Sequence, residues 1–226
     1  MVPLLTLLLG FDTKIATATS LAAIIVTATV GVITHGSLGN VDWGYALLIG
    51  LPAVAGVLIG VWVKARVSTR ALAIAFAGLL AGVAMWLVSK PADGGSIHHL
   101  TAGRGALVAV LGLSAGVLAG LFGVGGGILF VPALTLIVGL PQILAEGTSL
   151  LAIIPVALVG SWRQHREGTV RWAAAGVMGA ASVVTAIIGA FVADATPGRT
   201  LRVLFAILMI ATATQLAVRA WRSRAA

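Results

Sequence analysis

Long apolar runs divided by short polar breaks set the plan of this chain. Ile15–Thr34, Trp43–Val63, Ala71–Val88, Gly103–Phe122, Leu144–Trp162, Trp172–Val192 and Thr200–Val218 are each close to the length an α-helix needs to cross a hydrocarbon layer, about 20 apolar residues. Two other apolar pieces, Val2–Phe11 and Gly127–Leu140, are too short for a straight span and predict half-helices or short tilted helices. The breaks carry turn chemistry: "HGSLGNVD" (His35–Asp42), "SKPADGGS" (Ser89–Ser96) and "DATPGR" (Asp194–Arg199) are polar and rich in Gly or Pro. Trp43 and Trp172 each open a span, where an amphipathic ring suits the headgroup layer. The pattern predicts an all-α, polytopic transmembrane helical bundle with broken or short helices and no soluble domain.

Composition agrees. Of 226 residues, 60% are hydrophobic and 9% charged, against about 25% charged in soluble domains. The net charge of +8 would suggest nucleic acid in a soluble protein. In a membrane chain it reflects Lys and Arg in cytoplasmic loops, and no nucleic-acid partner is expected. The chain has no cysteine, hence no disulfide, thiol nucleophile or thiolate ligand. "MVPLLTLLLGFD" lacks a basic n-region and makes a poor signal peptide.

Shifted by 129 positions, the chain matches itself without a gap, Val2 falling on Val131. "VPLLTLLLG" lies on "VPALTLIVG" and "ATATSLAAII" (from Ala16) on "AEGTSLLAII" (from Ala145). Gly31, Gly39, Trp43, Gly60 and Arg70 fall on Gly160, Gly168, Trp172, Gly189 and Arg199. Chance explains matched Leu and Ala between greasy helices, but not matched Pro, Thr-Ser, Gly, Trp and Arg in one register. Loop charges are largely swapped between the copies. The loop before Trp43 has Asp42 and no Lys or Arg, whereas the one before Trp172 has Arg163, Arg166 and Arg171; one loop later, Lys64, Arg66 and Arg70 stand against Asp194, with Arg199 and Arg202 further on. Under the positive-inside rule the copies have opposite orientations, an inverted-topology repeat. Residues 1–88 form repeat one, 89–102 an external linker and 103–226 repeat two. Arg219, Arg222 and Arg224 put the C-terminus in the cytoplasm. Repeat one starts at the point matching Val131, so its counterpart of the Gly103–Phe122 helix and glycines is missing: either the true start is further upstream or the helix is lost.

The ordered double set, a glycine cluster with Val-Pro ("GLFGVGGGILFVP"), then "AEGTSL", with "VPLLTLLLG" and "ATATSL" in repeat one and "GNVDW" and "GTVRW" in the following loops, resembles the TauE/SafE family of bacterial membrane transporters, often labelled sulfite exporters. The resemblance covers essentially the whole chain and implies anionic sulfur compounds as substrates.

Substrate-binding candidates are Gly123, Gly125, Gly126, Gly127, Thr148, Ser149, Thr19 and Ser20. Close helix packing would account for the glycines. So would a broken helix whose restart near Ile128 points its positive N-terminal end at an anion. The Thr-Ser hydroxyls can donate to an oxyanion or bond their own helix backbone. Glu146 is the candidate proton carrier, with an interfacial, helix-starting role favoured over it. His98 and His99 lack further ligands for a metal, and His35 and His165 are expected to be solvated in loops. No Walker lysine or Rossmann glycine set is present, and no cofactor or metal is expected.

The expected function is a secondary permease of the bacterial inner membrane, not an enzyme, moving sulfite, organosulfonates or related anions by alternating access. Its partners are the anion and the lipid bilayer, with a homo-oligomer left open. The alternatives are an anion channel, a non-transporting membrane scaffold, or an intramembrane enzyme, for which Ser149 lacks a histidine base in its own and the matched spans.

Overall fold

The computed structural model describes residues 11, 13–64, 69–89, 102–122 and 125–222. The short apolar segment over residues 2–10, His98 and His99 of the linker, and Gly123 lie outside the described residues.

The chain forms α1 (Thr13–Ser37), α2 (Trp43–Lys64), α3 (Thr69–Ser89), α4 (Ala102–Phe122), a short α5 (Gly127–Ala133) that runs on into a π-helical turn (Leu134–Val138), α6 (Gln142–Arg166), α7 (Trp172–Asp194) and α8 (Gly198–Arg222). No strand occurs among the described residues. Five of these helices are long and apolar enough to cross a membrane: Ile15–Ser37, Trp43–Val63, Gly105–Phe122, Gln142–Arg166 and Trp172–Asp194. Their outward faces are apolar: Trp43, Leu47, Leu51 and Trp62 on α2, and Val177, Val184, Ile188 and Phe191 on α7, are exposed to the surroundings. A bilayer supplies the missing neighbours for such surfaces. Expected half-helix Gly127–Leu140 appears as α5 and its π turn.

Helix ends follow local chemistry. Gly39 and Gly168 adopt left-handed φ values of +75° and +71° just after α1 and α6. In each case the glycine N–H and the next N–H turn back to helix carbonyls: Asn40 donates to His35 O (2.8 Å) and Thr169 to Gln164 O (3.1 Å). This is a glycine C-cap, used twice at positions 129 apart. It carries α1 through Ser37, so His35 lies in the last helical turns rather than in a loop. Asp42 caps α2, its carboxylate accepting the Tyr45 N–H at 3.0 Å.

Helices α1 and α6 form the centre. α1 packs on α6 and α7, α6 on α1 and α2, α2 on α4, and α3 on α8. The apolar core between them includes Leu21, Ile49, Val57, Phe130, Leu134 and Val156. Helices α1 and α6, superposed by the 129-residue shift, run antiparallel and exchange equivalent contacts. The Asp42 N–H after α1 donates to Thr148 Oγ1 early in α6 at 2.9 Å. The Arg171 N–H after α6 donates to Thr19 Oγ1 early in α1 at 3.2 Å. A Cβ added at Gly31 would lie 2.8 Å from Leu150, and one at Gly160 would lie 2.7 Å from Leu21. Each pair maps onto the other under the shift, the reciprocity that a two-fold relation imposes.

Candidate functional site

The glycine cluster breaks the chain between α4 and α5. Gly125 (φ +74°) and Gly126 (φ +82°) are left-handed, a conformation that costs any residue with a Cβ about 1–2 kcal/mol. The carbonyl of Gly126 starts the next helix, accepting the N–H groups of Leu129 (2.9 Å) and Phe130 (3.0 Å). Gly127 opens that helix, whose first amides have no carbonyl one turn back. The sequence can do this because three consecutive glycines, Gly125 to Gly127, carry no Cβ into a crowded place. A Cβ at Gly125 would meet Ile24 (3.2 Å) and Ile153 (3.3 Å), one at Gly126 the Phe130 ring (2.9 Å), and one at Gly127 Ile153 (2.8 Å).

Ile24 and Ile153 are the same residue of the two halves under the 129 shift, and each lies close to the middle of its 25-residue helix. The break therefore sits beside the middle of the α1–α6 pair. From there α5 and its π turn, 12 residues or roughly 18 Å of helix, lead to Gly139, a second left-handed glycine (φ +83°), and into α6. Thr135 lies buried in the π turn, its hydroxyl donating to Val131 O at 3.0 Å.

The Thr-Ser pairs are not at the break and do not meet each other. Thr19 and Thr148 are fully buried, and each hydroxyl accepts the backbone N–H that precedes the opposite half's next helix. Ser149 Oγ donates to Glu146 O in its own helix at 2.8 Å. Ser20 is buried. Because α1 and α6 are antiparallel, Thr19-Ser20 lies toward one end of the pair and Thr148-Ser149 toward the other, on the order of 20 Å apart along the axis. One small anion cannot contact both. A shared register position in antiparallel copies lies at mirrored depths, and the two coincide only at the centre, where Gly125 is. The expected single site made of all eight residues thus separates into a central glycine turn and two outlying hydroxyl pairs; Gly123 is outside the described residues.

The two ends differ in charge. Where α1 finishes and α6 begins stand Asp42, Glu146 and Asp194, with Arg199 and Arg202 in the first turns of α8. Glu146 Oε1 accepts Gln142 Nε2 at 2.9 Å, and Asp194 Oδ1 accepts Asn40 Nδ2 at 2.6 Å. At the other end stand Arg163, which pairs with Glu167 at 3.5 Å, Arg166, stacked 4.2 Å over the Trp162 ring, and Arg171. His165 is exposed there, its Nδ1 accepting the Trp172 indole N–H at 3.0 Å. His35, expected in solvent, is instead only 5% exposed at the acidic end. Helix α1 continues past it, and Gly147 lets α6 approach so closely that a Cβ there would lie 2.9 Å from His35 Cβ. The sequence did hold a signal: its counterpart in repeat two is Gln164, a polar residue in the same apolar helix context. Among the described residues no group of three His, Cys, Asp or Glu could hold a metal ion.

No solved structure matches the chain. A probable membrane transporter protein of Xylella fastidiosa (strain Temecula1) is 29% identical over 226 residues, covering 98% of this chain and 87% of that protein. The probable membrane transporter protein YdhB of Bacillus subtilis is 28% identical over 172 residues, covering 75% and 70%. A probable membrane transporter protein of Haemophilus influenzae is 31% identical over 117 residues, covering 49% and 44%. The model of the family described as sulfite exporter TauE/SafE matches residues 1–113 and again 107–226. With two matches that together span its whole length, this chain belongs to the TauE/SafE family of membrane transporters.

Proposed function

We propose that the chain is a secondary carrier that moves a small anion, sulfite, an organosulfonate or a related sulfur oxyanion, by alternating access, and that it performs no catalysis. The observation that carries this is the position of the left-handed turn Gly125-Gly126 between Ile24 and Ile153. A locus flanked by equivalent residues of antiparallel halves relates in the same way to both faces of the membrane. Exposing it alternately needs only that one half tilt against the other. The family description supports a sulfur oxyanion as cargo. Unwound glycine backbone with a restarting helix supplies amide donors without a fixed charge that would trap the anion. The proposed residence is the bacterial inner membrane with a cytoplasmic C-terminus, the Arg163–Arg171 end facing inward. The two halves, 1–88 and 103–226, are the proposed moving units.

Counterflow of labelled sulfite, sulfoacetate and taurine into proteoliposomes tests the carrier. Saturable exchange of at least one anion is expected, lost in Gly126→Val protein that still elutes as a single species. Unitary currents in a planar bilayer would make it a channel. Full exchange by well-folded Gly126→Val would place the anion elsewhere.

A further inference from the structure

His35 is the one buried histidine among the described residues, and nothing in the carrier scheme uses it. Its Nδ1 is buried and makes no hydrogen bond. At the same end of the α1–α6 pair stand acids from three elements. Asp194 at the end of α7 accepts the Asn40 side-chain amide at 2.6 Å, and the Asn40 backbone N–H donates to His35 O at 2.8 Å, so one residue links the end of α1 to Asp194. Asp42 lies further along the same loop, with its carboxylate on the Tyr45 N–H. Glu146 adjoins Gly147, the residue on which the His35 side chain rests. Arg163, Arg166 and Arg171, of α6 and of the loop into α7, are at the opposite end, whereas Arg199 and Arg202 in the first turns of α8 stand at the same end as Asp194. Repeat two provides the control: at the equivalent position it has Gln164, 1% exposed, in the same turn before the same glycine cap. The fold therefore accepts a neutral amide at this position. What a histidine adds is the ability to take a proton.

We propose that His35 is a proton-binding site at the acidic end of the α1–α6 pair, whose charged form draws the end of α1 toward Asp194 on α7. A proton held there would favour closure of that end, and its release would favour opening. Only the use of the proton rests on the carrier reading; its binding does not.

The test is a pH titration of ¹⁵N-histidine-labelled protein in detergent by NMR, with His35→Gln and Asp194→Asn variants. His35→Gln copies repeat two, and Asp194→Asn keeps an oxygen for the Asn40 amide, so both should elute as the wild type does. The expected result is an imidazole that titrates, is missing from His35→Gln, and has its midpoint moved to lower pH in Asp194→Asn, because removal of a nearby carboxylate disfavours the charged ring. No titration of that imidazole, or an unmoved midpoint in Asp194→Asn, overturns the proposal. In proteoliposomes carrying a pH-sensitive dye, wild-type sulfite uptake should move protons and His35→Gln should move none. Equal proton movement by the two proteins overturns the coupling. A titrating His35 without any anion movement by the wild type leaves the site standing and overturns the carrier reading instead.

Discussion

Two threonines show how a side chain can be placed by one half and used by the other. Thr19 and Thr148 satisfy backbone N–H groups at the starts of α7 and α2. Thr→Val keeps their shape and removes the acceptor, leaving a part-buried amide without that partner, which costs about 1 kcal/mol. Thr19→Val and Thr148→Val should each lower stability by that amount in chemical unfolding in micelles. The double variant should lose the sum to within about 0.5 kcal/mol, because the sites are distant. A marked deficit from the sum would mean that the two bonds form part of one network. Glycine makes a second contrast. Gly168 is left-handed in open space, so Gly168→Ala should cost only the backbone strain, about 1 kcal/mol; Gly126→Ala adds contact with the Phe130 ring and should cost about 2–3 kcal/mol. The need for glycine at both positions could be suspected from the sequence. The use of Thr19 and Thr148 could not, since their partners are over 100 residues away and hydroxyls in helices usually bond their own backbone.

Close packing by small residues, considered for "GVGGG" and met there against Ile24 and Ile153 side chains, brings helix backbones together in a different pair of helices. Gly112, Gly116 and Gly120 on α4 lie against the backbone carbonyls of Ile49, Ala53 and Val57 on α2, and Gly56 and Gly60 answer with Leu113 and Val117 of α4. The helices run parallel with their backbones in contact, the small-xxx-small seam of membrane helices. The 129 shift turns α2 into α7 and Gly60 into Gly189, but nothing lies within 4 Å of a Cβ at Gly189. Gly60→Leu should therefore separate α2 from α4, with poor insertion or a loss of more than about 3 kcal/mol, while Gly189→Leu should leave thermal stability within about 0.5 kcal/mol. Equal damage at both positions would show that α7 has a helix partner on that face. The existence of the helices was legible from apolar run length. The seam was not, because glycine spacing alone does not say which helix approaches.

At the scale of the molecule, the fold predicts which loops share a face. Ser37 and Thr196 lie at the acidic end and Glu167 at the basic end. Cysteines at Ser37 and Thr196 should react with an impermeant maleimide added to intact cells, and a cysteine at Glu167 only after permeabilisation; labelling of all three from outside would refute this arrangement. The long helices of the described residues, the repeat and the largely swapped loop charges were legible in the sequence alone. Bilayer thickness sets run length, an internal repeat is a register visible in one dimension, and charge asymmetry acts locally on each loop. Helix starts agree with this: α1, α2 and α3 begin at residues 13, 43 and 69, and α6, α7 and α8 at 142, 172 and 198. Only the tertiary structure decided what the repeated residues face. Antiparallel packing carries equal sequence positions to opposite depths, so it separates the two Thr-Ser pairs, brings Ile24 and Ile153 together around the glycine turn, and buries His35 beneath the close approach at Gly147. Sequence register is a one-dimensional property; depth in the membrane also depends on the direction of the helix and on its partner.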